Sequence, residues 1–214
     1  MDSENYLFER LLVLNQELTE NIAFLKFNLN VISVEKHKIL QSKFFIVSLY
    51  SLWEGYFRVS VGLYLDYIYS LSLDFSSFNS SFKFFYFEYL AIYKIKELTI
   101  KNSSDYFEIM NKKVEKPNTS NGENSIVKSN LDEKTLLEIT KLLSISINLK
   151  NNHSNLSTLL TKFMAFRHKF AHGDLKEITI SSDDVSKYSN LIFSLSDLLT
   201  EEIQVSVKSK SFLA

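Results

Sequence analysis

Helix breakers are almost absent from this chain: one proline, Pro117, and four glycines, Gly55, Gly62, Gly122 and Gly173, in 214 residues. Proline removes a backbone donor and clashes with the preceding turn, so long stretches without it permit uninterrupted helices. Apolar periodicity fills those stretches. Tyr6 to Phe27 carries Leu7, Leu11, Leu14, Leu18, Ile22 and Leu25 at three- and four-residue steps, with Glu9, Gln16, Glu17 and Glu20 outside the stripe; the spacing predicts a helix over 5–27. A second periodic segment runs over 34–71, with Ile39, Phe45, Ile46, Leu49, Trp53, Phe57, Val61, Tyr64, Leu65 and Ile68 on one heavily apolar side. It reads either as one spine helix on the order of 50 Å long or as two helices broken near Gly55.

The rest of the chain follows the same logic. Phe75 to Ser81 reads as a turn. Phe82 to Leu98 reads as helix, with a strand through FKFFYFEY as the alternative. The segment 101–130 is polar, holds Pro117 and Gly122, and reads as a mobile loop or insertion. Asn130 is placed to cap a short helix with Glu133 at the capping-box position. A polar loop, Asn148 to Asn155, precedes a helix over 156–172 that Gly173 would end. Ile178 to Ser182 is a short extended link into a last helix over 182–205, opened by an N-cap and acidic residues. No repeat of roughly 20–50 residues is visible. The expectation is a single domain over 1–214: an all-α helical bundle of five to six helices.

Composition excludes several chemistries. With no cysteine there is no disulfide framework and no thiolate metal site. The four glycines cannot spell a phosphate-cradling loop. Four scattered histidines without an HExxH give no metal site, and no Ser/His/Asp arrangement is evident; neither a metal nor any other cofactor is expected. The acidic N-terminus, MDSENYLFER, does not read as a signal peptide. The longest apolar run, Phe44 to Trp53, falls far short of the ~20 residues a membrane span needs. A cytoplasmic protein with no membrane partner is the expectation. A net charge of −1 gives no global attraction to nucleic acid, so such a site must be local.

One helix holds a candidate. Rotating about 100° per residue from Leu156 puts Leu159, Leu160, Phe163, Phe166 and Phe170 in one apolar stripe, and Arg167 falls inside it. His168 and His172 lie together on its flank. An arginine on a core face is costly unless its guanidinium is paired or opens into a polar pocket or interface; a salt bridge to Glu54 on the spine is the plain explanation. From Lys141 to Lys176, however, Lys141, Lys150, Lys162, Arg167, Lys169 and Lys176 face the single acid Asp174, a local charge of +5. Such a patch suits phosphate. His37 and His153, in polar surroundings, read as exposed, and Trp53 as core or dimer interface.

Arg167-x4-His172, late in an all-α chain, resembles the Rx4–6H motif of the HEPN superfamily, helical domains common in bacterial toxin–antitoxin and antiviral systems. The run LLTKFMAFRHKFAHGD is similar to the "L…RN.IAHG" form of stand-alone prokaryotic members. SLWEGYFR, Ser51 to Arg58, resembles the "WEGF" segment of the MAE-type group. The resemblance implies metal-independent RNA cleavage by a homodimer, two motifs meeting about a two-fold axis in one composite site. His172 would move protons at the ribose 2′-OH and leaving oxygen, and Arg167 would bind the scissile phosphate. His168 would support the geometry, with Glu54 as a second supporting residue, and Lys162, Lys169 and Lys176 would meet RNA. The implied product end is a 2′,3′-cyclic phosphate, and the implied partners are RNA and an antitoxin or defence-system protein. Two departures stand out: His168 replaces the asparagine common after the arginine, and Asp174 replaces a tyrosine that some antitoxins modify. An i, i+5 pair sits about 140° apart on a helix, so one helix does not close a dyad, whereas an isologous second copy does. The alternatives are a non-catalytic helical module that binds RNA, nucleotide or protein, and a structural dimerisation domain with Arg167 sealed in a salt bridge.

Overall fold

The computed structural model describes residues 2–86, 111–116, 130–149, 156–171 and 180–214. Six α-helices are seen among them: α1 (Ser3–Val31), α2 (Glu35–Ser70), α3 (Ser80–Phe85), α4 (Glu133–Leu142), α5 (Leu156–Ala171) and α6 (Ser182–Ser209). No strand occurs among the described residues; extended pairing is limited to two isolated bridges, Asp74 with Lys113 and Phe78 with Leu213. None of the described helices is long and apolar enough to cross a membrane.

The spine is one helix. α2 runs 36 residues without a break at Gly55. A lone glycine costs a helix only about 1 kcal/mol, and the flanking Trp53 and Phe57, both fully buried, outweigh that through the apolar surface they remove from water. α1 lies along α2 and buries Leu7, Leu11, Leu18, Ile22 and Leu29; it starts earlier and ends later than the periodicity suggests. α5 and α6 cover the other sides of the spine. The α6 terminus is set by a full capping box between Ser181 and Asp184 and by Lys210 in the left-handed conformation beyond its last turn. Deep in the core the Tyr64 hydroxyl donates to the Leu143 carbonyl at 3.0 Å and pairs with Ser206 Oγ at 2.7 Å. Phe212 packs edge-on against Tyr64.

Three local readings are corrected. The α4 N-cap is Asp132, accepting from the Thr135 amide at 2.8 Å, rather than Asn130. Glu133 then sits in the first turn, where its carboxylate accepts from Ser157 Oγ at 2.7 Å and ties α4 to α5. Phe75 to Ser81 is not a plain turn: a 3-10 turn at Phe75–Ser77 leads into α3, capped by Asn79. Within the polar segment 101–130, residues 112–116 are anchored instead of free. Val114 is 2% exposed. Its amide donates to Leu73 O, the Phe75 amide donates to Lys112 O, and Lys116 pairs with Asp66 at 2.7 Å. One β-branched residue in a polar run is enough to seat the segment in the core. The helix or strand expected beyond Tyr86, most of the Asn148–Asn155 loop and the Gly173 helix end lie outside the described residues.

Candidate functional site

The seam between α2 and α5 is built from aromatic packing. Leu156, Leu160, Phe163 and Phe170 of α5 are buried. Phe163 lies 6.4 Å from Tyr50 of α2 and 5.5 Å from Tyr188 of α6, and Phe166 stacks on Phe170 and meets Tyr188 edge-on. Arg167 belongs to this face and is half-buried, as its helical phase requires. Its guanidinium carbon stands 4.5 Å from the centre of the Tyr50 ring. Its Nε is buried and has no hydrogen-bond partner. Stacking on an aromatic face is worth about 0.5–2 kcal/mol and leaves the Nε donor without an acceptor.

The salt bridge to Glu54 does not form. Glu54 Oε1 instead accepts from Arg58 Nη2 at 2.6 Å and Arg58 Nε at 3.0 Å, one turn along α2. Tyr50 lies at the other end of this row: its hydroxyl accepts from the Leu131 amide at 2.9 Å and interacts with Glu54. Burial, followed by the bond to Glu54, pushes the Tyr50 hydroxyl up to about 12, so it stays a donor throughout the physiological range. For Glu54 burial acts upward, but hydrogen bonds from Tyr50 and Arg58, with the charges of Arg58 and Arg167, hold the carboxyl below its ordinary value. Glu54 is therefore an anion near Arg167 whose pairing is satisfied elsewhere.

The other predicted residues separate into two groups. His168, Lys162 and Lys169 lie on the exposed side of α5, where they could meet a polyanion but do not share the Arg167 seam. His172 and Lys176 lie outside the described residues. Trp53 is fully buried, 6.1 Å from Phe57 and stacked on Tyr56, which places it in the core. His37 is exposed, and His153 lies outside the described residues.

Two seam residues escape the sequence reading. Tyr50 is the platform under Arg167. Lys43, 6% exposed, holds its ammonium 5.7 Å from the Phe170 ring centre. The signal was available: positions 43, 50, 54 and 58 are separated by seven, four and four residues, which keeps them on one face of a helix. It was masked because Tyr50 sits in the longest apolar run and reads as plain core.

A groove of about 690 Å³ opens between α4 and α5, lined by Asp132, Glu133, Glu138, Lys134, Lys141 and Leu137 among others. It holds neither Arg167 nor Tyr50. Its three carboxylates oppose binding of a phosphate, so the α2–α5 seam is the better candidate for anion recognition.

A family model described as MAE_28990-like HEPN matches residues 6–212. No curated protein and no solved structure matches the chain.

Proposed function

Because the chain belongs to the MAE_28990-like HEPN family, a family that suggests a nuclease or RNA-binding module, we propose that it is a metal-independent endoribonuclease acting as a homodimer. The observation that carries this reading is the state of Arg167: half-buried, held on Tyr50, its Nε unpaired, the neighbouring carboxylate already occupied. A sealed structural arginine would have taken Glu54. A guanidinium left open in a partly desolvated seam suits the planar oxygens of a phosphodiester.

In the proposed reaction His172 accepts the proton of a ribose 2′-OH, and that oxygen attacks the adjacent phosphorus. Arg167 stabilises charge on the non-bridging oxygens. The 5′-oxygen leaves with a proton from an imidazolium, the His172 of the second copy being the natural donor. A 2′,3′-cyclic phosphate and a 5′-hydroxyl result. A histidine titrating near pH 6.5 suits both transfers. His168 supports the site, and Lys162, Lys169 and Lys176 track the RNA backbone. In the cell the protein would act on cytoplasmic RNA as the toxin or effector of a toxin–antitoxin or antiviral system, held in check by a partner protein.

The test is incubation of the purified protein with total cellular RNA and mapping of the cleaved ends. Arg167→Ala should slow cleavage by roughly 10²–10³-fold and His172→Ala by roughly 10²–10⁴-fold, with helix content by circular dichroism unchanged. Wild-type protein that binds RNA and leaves it intact would favour the non-catalytic module.

A further inference from the structure

Tyr50, Glu54 and Arg58 form one row along α2, and Arg167 stands over the first of them. The Glu54 carboxylate is ionised and senses Arg167. In a partly buried seam, a carboxylate and an unpaired guanidinium within reach of each other normally close a charge-assisted pair. No such pair is seen here; Glu54 Oε1 instead accepts from Arg58 Nη2 at 2.6 Å and Nε at 3.0 Å. The Tyr50 hydroxyl, anchored on the Leu131 amide at 2.9 Å, acts on the same carboxylate and helps hold it below its ordinary value.

We infer that Arg58 is a positioning residue: by occupying Glu54, with Tyr50 assisting, it keeps that carboxylate off Arg167 and leaves the Arg167 guanidinium free to take a phosphate oxyanion. The arrangement explains why the family-like segment carries an acid and a base four residues apart. Arg58 balances Glu54, so Arg167 is not drawn into a structural pair. The catalytic consequence rests on the proposed ribonuclease function; the geometric one does not.

The chain has three arginines, Arg10, Arg58 and Arg167, so the 214-residue chain labelled with 15Nε-arginine gives three side-chain Nε–H signals. Arg10→Lys and Arg167→Lys assign them in the wild type, independently of the variant that carries the test. In Arg58→Ala the released Glu54 should turn to Arg167. The Arg167 Nε–H signal should move downfield, toward the position of Arg58 in wild type, and RNA cleavage should fall about tenfold to a hundredfold, the range of a hydrogen bond to a charged group. Arg58→Ala combined with Glu54→Gln should return both the signal and the rate toward wild type. A role in folding alone predicts no such rescue. An Arg167 signal that stays in place in Arg58→Ala overturns the inference, as does a double variant no faster than the single one. If wild type cleaves no RNA, the ribonuclease reading fails while the Nε–H signals still decide the geometric one.

Discussion

At the scale of single residues, the seam is organised by which charge is neutralised and which is not. Glu54 is satisfied by Arg58 and Tyr50, and Arg167 is left on an aromatic face. The depressed Glu54 carboxyl carries a consequence for stability. A group whose folded value lies below its unfolded one stabilises the fold above the unfolded value, about 4.3 for glutamate, and loses that contribution as pH falls through the folded value. Urea unfolding followed from neutral to acid pH should therefore show stability declining in the lower carboxylate range. Glu54→Gln should flatten part of that decline, and an identical decline in both proteins would remove Glu54 as its source. Arg167 was legible in the sequence through its phase among Leu160, Phe163 and Phe170. The pairing of Glu54 with Arg58 instead was not, because helical phase cannot say which of two arginines reaches a carboxylate first.

Among the elements, α2 does most to place the site, since it carries Lys43, Tyr50, Glu54 and Arg58 and backs α1, α5 and α6. Its continuity through Gly55 supplies a direct test. Gly55 is exposed, and a Cβ built there meets nothing within 4 Å, so Gly55→Ala should stabilise the protein by about 0.5–1 kcal/mol. That gain corresponds to a melting midpoint higher by roughly 1–4 °C in differential scanning calorimetry. At α4 the cap sits two residues later than the capping-box pattern suggests. Loss of the Asp132 side chain, which accepts from the Thr135 amide, should cost about 1 kcal/mol in urea unfolding of Asp132→Ala. The long helices α1, α2, α5 and α6 were readable from periodicity, whereas the 3-10 turn at Phe75–Ser77 and the start of α3 were read as a turn. Helix ends were not readable, because several polar residues in a row can each serve as a cap and only the packed geometry selects one.

For the molecule as a whole, the core is continuous from α1 through α2 to α5 and α6. The single tryptophan, Trp53, lies fully inside it. Trp53→Ala should cost about 3–5 kcal/mol. Trp53→Phe should cost distinctly less, since Nε1 has no partner to lose. The two variants should order that way in chemical denaturation followed by circular dichroism. Residues 112–116 join this core through Val114 although their neighbours are polar, a long-range contact that local composition does not report.

The sequence by itself determined an all-helical chain, the phase of Arg167 on an apolar face, the local basic patch, and the resemblance carried by SLWEGYFR and LLTKFMAFRHKFAHGD. These are properties of spacing and residue type, which act within a helix turn or two. Only the tertiary structure decided that α2 is unbroken, that Val114 anchors a polar segment, that Tyr50 underlies Arg167, and that Glu54 pairs with Arg58 instead. Each of those outcomes is a competition between groups far apart in sequence or between rival partners on neighbouring helices. Burial and distance settle such competitions, and neither is encoded in the order of residues along a single element.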